Sequence, residues 1–175
     1  MISDEDKDIL RVRARALAEV DEQSSNAERL ELLVFRLEDQ LFAIRGQHAS
    51  EVFRFVERNL VPLPGCKEQI AGVISLRGDL LPVVRSRLLL LDSMNAGEDR
   101  NVIVVNNQES NYGLLVDEVV GMRLLPVDEL LVPTGGDAAE WVRGITSDDV
   151  TVLHLLPLLT FDNLGFQEAA LGSEG

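Results

Sequence analysis

Residues 70–84 read IAGVISLRGDLLPVV, and this stretch decides the fold of the chain. Two apolar runs flank the polar insert Arg77-Gly78-Asp79, and each run places apolar residues on both faces of a strand, as in strands that water reaches on neither side. Gly78 suits a tight turn, whereas Arg77 and Asp79 cannot enter a core without a partner. The stretch therefore predicts a buried hairpin with an exposed tip. Pro82 lacks a backbone donor, which places the second strand at an edge, at a bulge or at its own first residues.

The composition indicates a compact globular protein that is strongly acidic. The 175 residues are 46% hydrophobic, and 30 acidic side chains against 16 lysines and arginines give a formal net charge of −14. Such a charge repels phosphate backbones and anionic lipid surfaces, so nucleic-acid binding is not expected. The single cysteine, Cys66, excludes an internal disulfide and is too few for a thiolate metal site. We expect it to be a half-buried structural thiol.

The amino-terminal residues predict a helix rather than an export signal. Residues 3–6 (SDED) have the spacing of a capping box, and apolar residues then recur at helical spacing as far as Val20. The segment is acidic where a secretory signal is basic, and the apolar runs are far shorter than the ~20 residues of a membrane span. We expect no membrane insertion and a cytoplasmic location. The narrow apolar stripe of this helix leaves open whether it docks on the rest of the chain, pairs with another chain or frays.

From Glu31 the helical period is lost, and the chain predicts short strands arranged as an internal repeat. Residues 117–119 (DEV) parallel residues 50–52 (SEV), Val104 lies 70 positions after Val34, and Gly144 lies 72 positions after Gly72. Each glycine fits a bulge or a tight barrel corner, where a side chain would obstruct closure. Two similar β units are therefore expected.

The spacing of the strands, with few helices between them, favours two small barrels over one sandwich. A polar run, QSSN at residues 23–26, marks a boundary before them. We divide the chain into an N-terminal amphipathic helix and linker over 1–26, a mainly β domain over 27–163 with a first barrel at about 30–92, a second barrel at about 100–155 and a closing segment to 163, and a tail over 164–175.

Three segments, in this order along the chain, resemble the CheW family of chemotaxis coupling proteins. Residues 70–78 (IAGVISLRG) are close to the family's Ile-x-Gly-Val-x-Asn-Leu-Arg-Gly, and residues 81–84 (LPVV) follow in place of its Pro-Val-Ile. Residues 113–119 (GLLVDEV) and 153–159 (LHLLPLL) match two further family segments. The resemblance covers roughly residues 31–159.

This resemblance implies two interlocked SH3-like β-barrels without catalytic activity, cofactor or metal. It implies a scaffold that joins the cytoplasmic tip of methyl-accepting chemoreceptors to the regulatory domain of a CheA-type histidine kinase, and hence recruitment from the cytoplasm to membrane-associated receptor arrays. The receptor tip would lie in a groove between the barrels, and the kinase would contact exposed barrel ends. By direct motif match, the candidate partner-binding residues are Arg77, Gly78 and Glu51.

The sequence also departs from the family pattern. Ser75 stands where the family usually has Asn, Arg85-Ser86 stand where it has Asp-Leu, and His154 takes a position usually held by Asp. The exchange at Arg85 reverses a charge, which near a protein contact lowers affinity for one partner and can create affinity for another. Arg85 is therefore a fourth candidate partner-binding residue. The alternative function is an adaptor of the same fold in a non-flagellar or other accessory signalling system with altered partner choice.

Two of the candidate residues have a purely structural alternative. Arg77 can pair internally with Asp79 or with another loop acid, and an exposed acid such as Glu51 is usually only solvated. An arginine at the tip of an apolar hairpin can equally bind a partner's carboxylate or carbonyl group through its forked donors. The motif match favours the binding role for Arg77.

An enzyme would have to use Asp148-Asp149 with His154, or His48 with Glu51. Two adjacent acids are ordinary turn residues, and neither a nucleophile motif nor a glycine-rich phosphate loop accompanies them. We expect His154 to be a packed strand residue, and two histidines so distant in sequence do not indicate a zinc site. The sequence therefore predicts an adaptor and not an enzyme.

Overall fold

The computed structural model describes residues 28–94, 99–106, 108, 110–136, 140–155 and 159, and the predicted N-terminal helix and C-terminal tail lie outside them. The described residues are mainly β, as predicted, and no helix among them combines the length and hydropathy that a membrane span requires. They form β1 (Arg29–Leu37), β2 (Gln40–Arg45), β3 (Ala49–Arg54), β4 (Ile70–Leu76), β5 (Asp79–Arg85), α1 (Ser86–Leu91), β6 (Asn101–Asn106), β7 (Asn111–Val116), β8 (Glu118–Pro126), β9 (Val142–Ile145) and β10 (Val150–Leu153), with 3-10 turns at Gly46–His48, Glu57–Asn59 and Val127–Glu129.

The strands form two five-stranded sheets whose orders are equivalent. The first sheet has the order β8-β1-β2-β10-β9 and the second β3-β6-β7-β5-β4. If β1–β5 and β6–β10 are taken as two repeats, corresponding strands occupy corresponding places, which confirms the internal repeat. Each sheet nevertheless contains strands of both repeats, because the chain crosses to the other sheet after β2 and again after β7. The predicted division into barrels at 30–92 and 100–155 is thus corrected: neither range forms a sheet of its own.

Each sheet curls back on itself without closing through a continuous ladder. The segment after β3 reaches the opposite edge at Val61, which exchanges two backbone hydrogen bonds of 2.8 Å with Val73 of β4. Leu131, after β8, does the same with Ile145 of β9 at 2.9 Å. A 3-10 turn interrupts the strand before each bridge. The prediction of two barrels is therefore correct in curvature and wrong in closure among the described strands.

Gly72 and Gly144 lie where the returning segment passes closest, as their repeat position predicted. A Cβ on Gly72 would lie 2.3 Å from the carbonyl oxygen of Val61, and its φ of +149° is a conformation that other residues rarely adopt. A Cβ on Gly144 would lie 3.1 Å from the Cβ of Leu130. The backbone approach is thus tighter in the second sheet, beside the register shift that interrupts the β4–β5 pairing.

The core explains why the strands are apolar on both faces. One large cluster lies between the sheets and takes alternate residues of β1 with residues of β6 and β7, among them Phe35, Ile103 and Leu114. The other face of β1 contributes Leu30 and Leu32 to a smaller cluster within the curl of the first sheet. A third cluster fills the curl of the second sheet. The strands therefore bury both faces, and the hydrophobic cluster between the sheets holds them together.

A buried arginine links the crossing at Asp117 to the β1–β2 turn and to the segment before β6. Arg87 of α1 is 5% exposed, and its guanidinium forms an ion pair with Asp117, between β7 and β8, and approaches Asp99 Oδ1 at 3.4 Å. The Nε atom lies 3.7 Å from Glu38 Oε1 in the β1–β2 turn, and the backbone N–H of Glu38 donates to Asp117 Oδ2 at 2.7 Å. The sequence analysis did not identify this cluster. Its signal was a charge within the apolar helix SRLLLL, which burial obliges to pair.

Candidate partner-binding surface

The tip of the β4–β5 hairpin holds Arg77 in a conformation that favours glycine. Leu76 pairs with Asp79, so Arg77 and Gly78 form a two-residue turn, and their φ angles of 52° and 87° are both positive, as in a type I′ turn. Asparagine or glycine adopts the positive φ of the first position more easily than arginine does, so the backbone at Arg77 is somewhat strained. The strained position projects the Arg77 side chain into solvent.

The structure brings together Arg77 and Glu51, two candidates that the sequence named separately. Arg77 Nη2 lies 2.6 Å from Glu51 Oε2, and their side chains are 75% and 26% exposed. Glu51 lies on β3 at one edge of the second sheet, whereas Arg77 is at the end of the hairpin that forms the other edge. The curl of the sheet makes this contact possible. Arg77 therefore does pair with an acid of its own chain, as the structural alternative predicted, but the acid is Glu51 and not Asp79.

The Arg77–Glu51 pair stands between two grooves. The first groove, of about 480 Å³, runs from the hairpin tip past Pro82 to Tyr112. The second, of about 510 Å³, lies where β3 approaches the first sheet, and its walls include Arg45 and Met122. Glu51 lines both grooves. An elongated partner lying across them would therefore meet this ion pair at the centre of the contact.

Leu80, next to the hairpin tip, is 72% exposed. The sequence predicted a buried strand here, and that prediction is wrong for this residue, because its side chain points away from the cluster that receives Leu81. An exposed leucine beside a fixed guanidinium combines the apolar and polar contacts that protein interfaces use. The sequence alone does not indicate that Leu80 is an interface residue. That role follows from its position at the rim of the groove, which depends on the curl of the sheet.

Arg85 lies on a different surface from Arg77. It is the last residue of β5 and exposed, while Arg77 lies two residues before the strand, so the seven residues of β5 separate them by about 20 Å at ~3.3 Å per residue. Arg85 lines a smaller pocket of about 220 Å³ together with Phe55 and the exposed Met94. The four candidates therefore form two surfaces: Glu51, Arg77 and Gly78 at one end of β5, and Arg85 at the other.

The residues of the enzyme alternatives have structural surroundings. Asp148 accepts hydrogen bonds of 2.7 and 3.0 Å from both terminal nitrogens of Arg123 and one of 2.7 Å from Thr146 Oγ1. These bonds, from Arg123 first, lower the pKa of Asp148 from 3.8 to about 2. Asp149 has a positive φ in the same turn. His154 follows β10 and is exposed, so the prediction of a packed histidine is wrong: the strand ends one residue earlier.

Cys66 is half-buried, as expected, and burial raises the pKa of its thiol. A thiol with a raised pKa is a weak nucleophile at neutral pH. In the ranges that the structure covers, no His, Cys, Asp and Glu side chains are grouped so that they could hold a metal ion.

Comparison with known proteins agrees with this fold. A family model described as CheW-like domain matches residues 31–161. Protein PilI of Pseudomonas aeruginosa is 30% identical over 141 residues, which cover 78% of each chain. The chemotaxis protein CheW of Thermotoga maritima is 28% identical over 100 residues, covering 57% of this chain and 65% of that protein. The crystal structure of the scaffolding protein TtCheW from Thermoanaerobacter tengcongensis has the same fold, with a TM-score of 0.70 and 22% identity over 79% of this chain and 98% of its own.

Proposed function

The chain belongs to the CheW-like domain family, and on that premise we propose that it is a non-enzymatic adaptor that couples chemoreceptors to a CheA-type histidine kinase. Its partners are the cytoplasmic tip of a methyl-accepting chemoreceptor and the kinase regulatory domain, and it works from the cytoplasm at membrane-associated receptor arrays. The observation that carries the proposal is the Arg77–Glu51 pair between two grooves. The domain limits of 27–163, the helix over 1–26 and the closing segment belong to the same proposal.

The geometry of the pair explains how it can bind a partner. A guanidinium has five N–H donors, and the single short contact to Glu51 leaves most of those of Arg77 facing solvent. Glu51 restricts the rotamers of the arginine before a partner arrives, which lowers the entropy that binding must overcome. In this proposal Arg77 contacts a carboxylate or carbonyl group of the receptor tip, Gly78 allows close approach of the partner backbone, and Glu51 positions the arginine.

Arg85 supports an alternative adaptor role in a non-flagellar or other accessory signalling system. Its exposed guanidinium stands where an acid is usual in the family, at the far end of β5 from Arg77. The relatives of the chain include proteins named PilI and CheW, so membership of the family is compatible with either role. We propose that the Arg77 surface binds the receptor and that the Arg85 surface selects the kinase.

Capture of purified partners tests the proposal. The regulatory domain of the CheA-type kinase encoded in the same genome and a soluble receptor tip should both be retained by the immobilised chain. Arg77→Ala should lower the retention of the receptor tip by at least about tenfold, since arginines that anchor interfaces contribute ~2 kcal/mol or more. Arg85→Asp should alter retention of the kinase domain instead.

The repeat supplies a matched control for this experiment. Glu118, at the repeat position of Glu51, forms an ion pair of the same 2.6 Å length with Arg36. Glu118→Ala should leave receptor binding unchanged, while Glu51→Ala weakens it. If neither partner is retained by the unchanged chain, or if both variants weaken binding equally, the proposed role of the Arg77–Glu51 pair is wrong.

A further inference from the structure

Four basic side chains lie at one end of the first sheet. Arg45 is the last residue of β2, and β10 runs parallel to β2 with Val152 opposite Ala43, so His154 lies level with Arg45. Arg143 lies on β9, the next strand, and His48 ends the 3-10 turn that follows Arg45. The topology therefore gathers two arginines and two histidines at the ends of three adjacent strands and in one turn.

Unlike other arginines of the chain, the two arginines of this cluster form no ion pair among the described residues. Arg36, Arg77, Arg87 and Arg123 each form an ion pair with an acid. Across the described ranges, neither Arg45 nor Arg143 forms one, although both are half-buried. In a chain with 30 acidic against 16 basic residues, two half-buried arginines without an ion pair are unexpected, although Glu31 and Glu51 line the same groove as Arg45. The arrangement leaves positive charge that a bound anion would neutralise.

The surroundings of His48 independently show the sign of this surface. Burial lowers the pKa of His48, and the neighbouring basic groups Arg45, His154 and Arg143 lower it further, while a backbone hydrogen bond with Asn106 opposes them. The next acid along the chain, Glu51, is engaged by Arg77. The potential at this end of the sheet is thus positive, in contrast to the net charge of −14.

We infer that this basic end of the first sheet binds an acidic segment of a partner protein. Arg45 and Glu51 both line the second groove, so the basic end continues the proposed partner-binding surface. To that extent the inference rests on the proposed function. A peptide segment fits better than a membrane or a nucleic acid. A membrane or a nucleic acid is an extended polyanion and would come within the ~8 Å screening length of the acidic remainder of the chain, which would repel it. A short segment contacts the basic end alone.

The test uses the full chain labelled with ¹⁵N and an acetylated peptide of alternating Glu and Ala residues. We expect chemical-shift changes centred on residues 45–48, 143 and 154, binding that weakens with added salt, and no such changes with a Gln-Ala peptide. Arg143→Glu should lower the affinity by at least about tenfold, because it replaces an attraction with a repulsion. Arg58→Glu, an exposed substitution with the same change in net charge, should have little effect.

Exposed His154 keeps the test decisive if Arg143→Glu does not fold, since His154→Glu changes the same surface without disturbing packing. Equal binding of the Glu-Ala and Gln-Ala peptides, or equal losses with the Arg58 and Arg143 variants, would overturn the inference. So would binding of phosphatidylserine vesicles in preference to the Glu-Ala peptide. If the peptide does not bind as predicted but the receptor tip and the kinase domain are still captured, only the acidic-segment site is rejected. Peptide binding without receptor or kinase capture rejects the proposed partners instead.

Discussion

Replacing Arg87 with methionine tests whether the buried ion-pair cluster holds the crossing at Asp117 in place. The change keeps a long unbranched stem but removes the charge that faces Glu38, Asp99 and Asp117. Removing one partner of a buried ion pair destabilises a protein by about 3–5 kcal/mol, because the remaining charge stays buried without compensation. Glu38 and Asp99 are each 32% exposed, so water relieves part of this cost. We therefore expect a loss near the lower limit, about 3 kcal/mol.

Urea and thermal unfolding followed by circular dichroism measure this loss. For a chain of this size, 1 kcal/mol corresponds to about 2–4 °C in Tm, so Arg87→Met should melt about 6–12 °C lower. Arg123→Met is the control, since it removes an arginine from an ion pair that is largely solvent-exposed. Such pairs contribute about 0–1 kcal/mol. If the two variants lose the same stability, the cluster around Arg87 does not support the fold as argued.

The pH dependence of the same variant provides a second measurement. Burial raises the pKa of Asp99 above 3.8, against the opposing effect of Arg87. A carboxyl whose pKa is raised by folding contributes its full stability below its ordinary pKa and loses it as the pH rises through the folded value. Without Arg87 the pKa of Asp99 should rise further. The variant should therefore lose more stability at neutral pH than near pH 3.8, and a loss independent of pH would contradict this account.

Three further predictions follow from the described contacts. Gly72→Ala should destabilise the chain by about 3 kcal/mol or more through backbone overlap and strain, whereas Gly144→Ala, with a looser contact, should cost about 1 kcal/mol; equal losses in urea unfolding would contradict the difference between the two sheets. Arg77→Ala should change the free energy of unfolding by no more than ~0.5 kcal/mol, and so Tm little, while it weakens receptor binding. A Tm lowered by many degrees would make Arg77 a structural residue. Arg123→Ala should raise the pKa of Asp148 from about 2 toward 3.8, as measured by carboxyl NMR titration. Because a lowered carboxyl pKa gives stability above 3.8 that is lost as the pH falls toward 2, this variant should lose less stability than the unchanged chain over that range.

The local parts of the fold could be predicted from the sequence. The hairpin of β4 and β5, its turn at Gly78 and the repeated glycines depend on neighbouring residues and on steric rules that hold in any context. The internal repeat could be predicted as well, because equivalent positions carry similar residues. Two of the four binding candidates, Arg77 and Glu51, also proved to be in contact.

The exchange of strands between the repeats could not be predicted. Corresponding strands have similar apolar patterns, so pairing of β3 with a strand of its own repeat and pairing with β6 satisfy the pattern equally well. The exposure of Leu80 and the distance between Arg77 and Arg85 depend on how far the sheet curls. Arg87 was missed for the same reason, since its partners come from segments that are distant in sequence.

The two crossings of the chain between the sheets have diverged in a way that connects the fold to the proposed function. The crossing after β2 passes through Gly46–His48, lines the second groove at Gly46 and Gln47, and leads directly to Glu51. The equivalent crossing after β7 is the single residue Asp117, which the buried Arg87 fixes. The hydrophobic cluster between the sheets already holds them together, so the crossing after β2 needs no buried ion pair and is available for binding. Substitutions at Arg87 should therefore affect stability first, and those at Glu51 should affect partner binding first.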